Sequence, residues 1–296
     1  MALLDDIRFQ FRTGNILMQL IYINGGIFLA MMLLQVLLFL TGNEVLYGKI
    51  VEMLSVPAST SALLYRPWSI VTHMFIHDGF LHILFNMMWL HFGGTIFLNF
   101  LDSKKLLSTF LLGGLSGAVL FILLMNLIPR FSGMVDGITA LGASAAVLAI
   151  MVAAATTVPN YVVRLVLIGP VKLKYIAIVS VVLDVLLIPS GNAGGHFGHL
   201  GGALFGFVFA SQLKRGNDLT VNFLKPFFWM RDGFPVRKKE KIKVVHSRPK
   251  SDYDYNAEKA SKQAQIDAIL DKIKRSGYDS LSSKEKEILF KASKDI

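Results

Sequence analysis

A serine and a histidine, each within an apolar stretch, are the residues best suited to carry chemistry. Ser144 lies in the small-residue run at 142–145 (Gly-Ala-Ser-Ala), and His199 begins the run at 199–206 (His-Leu-Gly-Gly-Ala-Leu-Phe-Gly). A serine hydroxyl becomes a nucleophile when a nearby base accepts its proton. Free N–H groups at a helix N-terminus favour the negative charge that then develops. Ser144 is therefore a candidate nucleophile and His199 a candidate base.

Both residues also have a simpler explanation. A serine among alanines and glycines is ordinary in membrane helices, where small residues allow close packing. A histidine at the start of a helix can serve as a cap or bond at the membrane interface. Two small-residue faces with four-residue spacing favour catalysis, because packing them together would bring the hydroxyl to the imidazole. They consist of Gly198, Gly202 and Gly206 on one segment and Ala145, Ala149 and Ala153 on the other.

His82 and Asn86 are four residues apart, so they project from one face of a helix. Both side chains can donate hydrogen bonds, and at the depth of Ser144 they could stabilise an oxyanion. The alternative is a structural polar pair that ties this helix to a neighbour. The sequence leaves both interpretations open.

Two other polar residues in apolar segments have open roles. Asp184 could orient a histidine as the third member of a triad, although we favour a structural role because a charged aspartate needs further partners. His196 is an alternative base, and again we favour a structural role. Ionisable residues inside a membrane are costly, so each is a functional candidate.

Metal and thiol chemistry find little support. The chain has no cysteine, which excludes thiol nucleophiles and cysteine-zinc sites. It contains no His-Glu-x-x-His motif, and Asp184 is the only aspartate in the middle of a predicted span. His73 and His77 have a spacing that could bind a metal, but no suitable third ligand is evident. We expect neither a metal nor a cofactor.

The composition predicts an all-α membrane protein. The chain has 296 residues, of which 53% are hydrophobic and only 17% charged, with a mean hydropathy of +0.54. Its long apolar runs are typical of membrane spans. Six are predicted, at about 17–40, 79–98, 106–128, 143–157, 173–188 and 197–213. Asp78 is a plausible N-cap for the second span, and residues 41–70 are predicted to form a polar loop.

The fourth predicted span is too short to cross a bilayer. About 15 residues at ~1.5 Å each cannot traverse roughly 30 Å of hydrocarbon. The helix should therefore begin below the membrane surface. This places Ser144 at depth, with a polar cavity above it.

The charges predict the orientation and the domains. Residues 1–213 hold 10 Lys and Arg against 8 Asp and Glu, whereas residues 214–296 hold 20 against 12. The basic residues between spans fall mainly on the face shared with both termini, so both termini are predicted to be cytoplasmic. The predicted domains are a lead-in at 1–16, the membrane domain at 17–213, a basic linker at 214–255 and a helical hairpin at 256–296. The basic tail suits anionic lipids, and no motif supports nucleic-acid binding.

The pattern resembles the rhomboid intramembrane serine proteases over roughly residues 60–213. The resemblance rests on residues 82–86 (His-Ile-Leu-Phe-Asn) and on the runs at 142–145 and 199–206, in that order. It implies a six-helix bundle with a Ser144–His199 dyad and an oxyanion site formed by His82, Asn86 and the Ser144 N–H. It also implies substrates that are single-span membrane proteins with helix-destabilising residues near the cut. We expect a multi-pass protein of a bacterial inner membrane.

The sequence departs from the family pattern at three points. The acidic residue that often follows the second span in the family is not obvious at Leu98-Asn99. Ala145 stands where the family usually has a glycine, and Trp68-Ser69 replaces a Trp-Arg pair, with Arg66 two residues earlier. One alternative function is a catalytically silent relative that binds membrane clients, although such a protein would be marked by loss of the serine or histidine. A transporter would predict inverted repeats and a charged pathway, and we find neither.

Overall fold

The computed structural model describes residues 15–165, 168–221, 223 and 252–292. Nearly all of the predicted lead-in at 1–16 and most of the predicted linker at 214–255 lie outside them. The chain divides into two compact units, Met1–Pro235 and Val236–Ile296. The helices of the first unit are α1 (Ile16–Leu40), α2 (Glu44–Leu54), α3 (Thr60–Tyr65), α4 (Ser69–Thr72), α5 (Phe80–Leu98), α6 (Ser103–Leu127), α7 (Pro129–Ser132), α8 (Ser144–Thr157), α9 (Leu173–Leu186) and α10 (Ala193–Lys214).

Each of the six predicted spans coincides with a helix, namely α1, α5, α6, α8, α9 and α10. Among the described residues, α1, α5 and α6 are long and apolar enough to cross a membrane, and α8 is a shorter apolar helix. The six-span count itself remains a prediction. The last predicted span begins earlier than expected, at Ala193, because the Asn192 side chain caps the helix by accepting a hydrogen bond from the Gly195 N–H at 3.1 Å.

The prediction that residues 41–70 form a loop is wrong. This segment contains α2, α3 and the start of α4, because a stretch too polar for a bilayer can still satisfy its backbone groups in short helices. Arg66 is buried and donates through Nη1 to the Glu52 carboxylate at 2.9 Å and the Glu52 carbonyl at 2.8 Å. Trp68 donates through Nε1 to the Met53 carbonyl at 2.9 Å. The segment is therefore anchored even though the Trp-Arg pair is altered.

Two small sheets add to the predicted all-α architecture. The first pairs β1 (Val56–Pro57) with β2 (Thr139–Ala140), and the second pairs β3 (Val162–Leu165) with β4 (Gly169–Lys172), both antiparallel. The first sheet joins the segment after α2 to the chain just before α8. It therefore helps to fix the approach to Ser144.

Glycines bring α10 into backbone contact with α8. A Cβ added to Gly202 would overlap the carbonyl oxygen of Ala145, and a Cβ added to Gly206 would overlap that of Ala149. This confirms two of the three glycine positions in the predicted face. Such close approach is the general use of small residues between membrane helices.

The third predicted glycine faces a different helix. Gly198 packs against α6, where a Cβ on Gly117 would lie 2.8 Å from the Gly198 carbonyl oxygen. On the same side, Ser116 Oγ donates to the Gly201 carbonyl at 2.9 Å. Helix α10 is therefore wedged between α6 and α8, and its small residues are divided between the two neighbours.

Two buried histidines fix the chain ahead of α8. The carbonyl of His73 accepts from the Gly142 N–H at 2.8 Å, and His77 Nε2 accepts from the Ala143 N–H at 3.4 Å. Burial lowers the pKa of both imidazoles to about 4. Both rings are therefore neutral at neutral pH, as the acceptor role of His77 requires.

The second unit contains two helices, and the first of them begins within the predicted linker. Helix α11 (Asp252–Ser276) ends at Gly277, whose φ of +78° suits a helix stop. Helix α12 (Ser283–Ala292) follows a capping box, in which Glu285 Oε2 accepts from the Ser282 N–H at 2.6 Å. Lys272 and Glu285 join the two helices through an ion pair at 2.9 Å.

We expect Gly202→Ala to destabilise the protein. The added methyl group would overlap the Ala145 carbonyl and force α8 and α10 apart, at a cost of about 1–3 kcal/mol typical of overpacking. Thermal unfolding in detergent should show a lower Tm. Gly26→Ala in α1 is the control, because a Cβ there meets nothing within 4 Å. Equal Tm values for the two variants would contradict the proposed packing.

We also expect stability to fall as the pH drops from about 6.5 towards 4. Above pH 6.5 the rings of His73 and His77 are neutral in both the folded and the unfolded protein, so no stability is lost. Below pH 6.5 these rings take up protons in the unfolded chain but stay neutral in the folded protein, which lowers the free energy of unfolding. By pH 4 each buried ring should account for a loss on the order of 3 kcal/mol. Melting curves should show a shallower pH dependence for His77→Gln, whereas the exposed control His91→Gln should follow the wild type. An unchanged slope in His77→Gln would contradict the assignment.

Candidate active site

Ser144 is the first residue of α8, and it follows a turn that only glycine suits. Gly142 has a φ of +113°, and a Cβ at this position would lie 2.7 Å from His82 Nε2. A side chain would therefore both strain the backbone and displace the imidazole. The first N–H groups of α8 have no acceptor within the helix, and they lie at the end that begins with Ser144.

His199 reaches Ser144 from α10. Its Nε2 lies 2.6 Å from Ser144 Oγ, within hydrogen-bond distance. The contact predicted from the two small-residue faces is therefore present in the structure. It follows from the backbone contact of Gly202 and Gly206 with α8, which sets the two helices close enough for short side chains to meet.

A carboxylate lies on the far side of the histidine. Asp184 Oδ1, on α9, lies 2.7 Å from His199 Nδ1 and 2.8 Å from His196 Nδ1. A carboxylate only accepts hydrogen bonds, so both Nδ1 atoms carry protons. In a neutral His199 the lone pair is then on Nε2, and it faces the serine hydroxyl. This is the tautomer that can take the serine proton.

His82 and Asn86 lie on α5 at the same cavity, as their spacing predicts. His82 Nδ1 is 2.6 Å from Asp78 Oδ1, so Nδ1 carries the proton and Nε2 can donate only when the ring is doubly protonated. Asn86 Nδ2 donates to the His82 carbonyl at 2.9 Å, and its second hydrogen is free for another acceptor. These groups are placed so that both could face a developing negative charge.

The expected N-cap role of Asp78 is wrong. Gly79 occupies the N-cap position of α5, and no side-chain cap bond is formed there. The Asp78 carboxylate bonds His82 instead, four residues later. The charge attraction to the imidazole and the i, i+4 spacing account for this choice.

These side chains surround one cavity of about 750 Å³. Its polar wall is formed by Asp78, His82, Asn86, Ser144, Asp184, Asn192 and His199. Its apolar wall includes Leu81, Phe85, Trp89, Val147, Leu148 and Met151. A cavity with a few converging polar groups and large apolar walls is suited to an extended, mostly apolar ligand.

The histidines near the cavity have hydrogen-bond partners within the protein. Among the described residues, Asp184, His196 and His199 place potential ligand atoms within 4.8 Å of one another. Both Nδ1 atoms, however, already bond the carboxylate. His73 Nδ1 is 3.0 Å from the Ser69 carbonyl, and His77 Nε2 faces the Ala143 N–H. Within the part of the chain that the structure describes, His73 and His77 do not belong to a group of three or more potential metal ligands.

Two aspartates have contacts that differ from the roles predicted for them. Asp78 and Asp184 each hold an imidazole at the cavity, whereas one was interpreted as a cap and the other as structural. For Asp78 the signal was present, as a carboxylate four residues before His82. For Asp184 no local signal exists, because its partners lie 12 and 15 residues away on another helix.

Comparison with known proteins gives two family matches. Residues 65–215, about half of the chain, match the family model described as Rhomboid domain. Residues 251–295 match a family of unknown function, DUF6576, and this match covers the helical hairpin. No curated protein matches the chain. The rhomboid domain and its apolar helices indicate an integral membrane protein. From the order of its motifs, the helices that carry them and the match over residues 65–215, the chain belongs to the rhomboid family.

Proposed function

We propose that the protein is an intramembrane serine endopeptidase in which Ser144 is the nucleophile and His199 the general base. The observation that carries this proposal is the 2.6 Å contact between Ser144 Oγ and His199 Nε2 at a cavity inside the bundle. Family membership supports the same reaction class. A structural serine–histidine contact would not need a cavity of this size beside it.

The geometry supports an acyl-enzyme reaction. His199 Nε2 takes the hydroxyl proton while Ser144 Oγ attacks the peptide carbonyl, and the imidazolium then gives that proton to the leaving amine. A water molecule then attacks the ester carbonyl while His199 Nε2 accepts its proton. The imidazolium gives that proton to Ser144 Oγ, which leaves as the free hydroxyl. The cavity wall supplies polar groups along which water can reach the serine.

The oxyanion is stabilised by groups that are already in place. The donors are the N–H of Ser144 at the helix start, the second amide hydrogen of Asn86 and the His82 ring when its Nε2 carries a proton. Fixed donors in a site of low dielectric constant give large transition-state stabilisation, because they need no reorganisation during the reaction. The Asp78 carboxylate orients the His82 ring, with Oδ1 2.6 Å from Nδ1.

The substrates are single-span membrane proteins, and the protein resides in a bacterial inner membrane with both termini in the cytoplasm. The apolar cavity wall is suited to an unwound apolar segment, and helix-destabilising residues would ease that unwinding. The excess of basic residues beyond residue 214 supports this orientation and contact with anionic lipid headgroups.

A fluorophosphonate probe should label the wild-type protein, and Ser144→Ala should abolish labelling because the nucleophile is lost. Ser132→Ala is the matched control, since this exposed serine lies in α7 and bonds only the Pro129 carbonyl. Labelling is read by gel fluorescence on the full chain in detergent. Equal labelling of wild type and Ser144→Ala would refute the assignment of the nucleophile. No labelling or substrate cleavage by the wild type would instead favour a silent relative that binds clients.

His199→Ala should lower cleavage of a model single-span substrate by about three orders of magnitude or more, because the serine then lacks its base. Initial rates in proteoliposomes give the comparison, with the exposed His91→Ala as control. Substantial cleavage by His199→Ala would point to His196 as the base.

A further inference from the structure

One carboxylate oxygen accepts hydrogen bonds from two imidazoles next to the proposed nucleophile. Asp184 Oδ1 lies 2.7 Å from His199 Nδ1 and 2.8 Å from His196 Nδ1. The side chains of Asp184 and His196 are each 12% exposed, and that of His199 is 26% exposed. The Asp184 carboxylate has little contact with water and therefore needs hydrogen-bond donors. Both donors, His196 and His199, lie on α10, the helix that carries the proposed base.

We propose that Asp184 is a positioning residue for His199, so that the site works as a Ser144–His199–Asp184 triad. This inference rests on the proposed protease function and extends it, because the family resemblance implies a dyad alone. The three groups form an unbroken chain, from Ser144 Oγ to His199 Nε2 at 2.6 Å and from His199 Nδ1 to Asp184 Oδ1 at 2.7 Å.

The carboxylate acts on His199 in two ways. It accepts the Nδ1 hydrogen, which keeps the lone pair of the ring on Nε2, where the serine proton must go. It also places a negative charge beside the imidazolium that exists while the proton resides on Nε2. The proton moves from Ser144 Oγ to His199 Nε2 and then to the leaving amine, and Asp184 stays ionised throughout.

His196 completes the environment of the carboxylate. Because His196 and His199 are three residues apart in α10, both rings point to the same side, with centroids 5.9 Å apart and planes at 89°. Nδ1 of His196 gives Asp184 a second donor and holds its rotamer. His196 supports Asp184 and does not need to touch the serine.

A structural role for Asp184 makes a different prediction. The buried residues of α9, namely Leu173, Ile176 and Ala177, all lie in its first half. The Asp184 contacts therefore also tie the second half of α9 to α10. If this tether were the whole role of Asp184, then shape and hydrogen bonding at the position would matter more than charge.

Two substitutions separate these roles. Asp184→Asn keeps the shape and one oxygen acceptor but removes the charge, whereas Asp184→Glu keeps the charge but lengthens the side chain. A positioning carboxylate predicts that Asn lowers kcat on the order of 10²-fold with KM nearly unchanged. It also predicts that Asp184→Glu, which keeps the charge, has a kcat between those of Asp184→Asn and the wild type. A tether predicts the opposite ranking, in which Asn retains more activity than Glu.

Cleavage of a single-span substrate by the full chain in proteoliposomes gives kcat and KM, and thermal unfolding in detergent checks that each variant folds. Val185→Ala is the control, because this neighbour on α9 is half exposed and is not among the residues that line the cavity, so it should behave as wild type. His196→Asn should lower kcat less than Asp184→Asn does, since its effect on the base is indirect.

The outcomes are distinguishable. A kcat of Asp184→Asn equal to wild type, Asn more active than Glu, or a loss in His196→Asn as large as in Asp184→Asn would each overturn the triad and leave the protease proposal standing. Loss of wild-type cleavage in a chelator with recovery on added zinc would also overturn it, because the three side chains would then bind metal. Failure of the wild type to label at Ser144 would remove the protease function itself.

Discussion

The backbone contact between α8 and α10 is the constraint on which the site depends. Gly202 and Gly206 leave no room for a Cβ above the carbonyl oxygens of Ala145 and Ala149. The serine side chain is short, so an imidazole can reach its hydroxyl only if the helices lie this close. On the other side α6 also approaches closely at Gly117, so α10 is packed between α6 and α8. The Ser144–His199 contact is thus a consequence of two glycines placed about one helical turn apart.

Carboxylates fix the imidazoles on both sides of the cavity. Asp78 bonds His82 on α5, and Asp184 bonds His199 on α10, in each case through Nδ1. The same bond has a different consequence at each place. At His199 it leaves the lone pair of a neutral ring on Nε2, which faces the Ser144 hydroxyl, whereas at His82 it orients the ring at the cavity wall. One kind of hydrogen bond thereby orients an imidazole on each of two helices that line the cavity.

The segment before α5 completes the site by holding the turn ahead of Ser144. The His73 carbonyl and His77 Nε2 bond the N–H groups of Gly142 and Ala143. The strand pair between residues 56–57 and 139–140 joins the same region. Residues 41–70, predicted from their polarity to form a loop, are therefore folded, and Arg66 among them is buried. Their short helices satisfy backbone hydrogen-bonding groups locally.

Sequence alone determined the six apolar helices, the small faces, and Ser144, His199, His82 and Asn86 as candidates, because hydropathy and helical spacing are local properties. Only the tertiary structure decided which face Gly198 occupies and that α2 to α4 are ordered. It also brought Asp184 to His196 and His199. That contact joins residues 12 and 15 positions apart on two helices, and no periodicity within either helix specifies it. The register between α9 and α10 depends on how their surfaces pack. This packing determines that His196 and His199 both bond to Asp184 Oδ1.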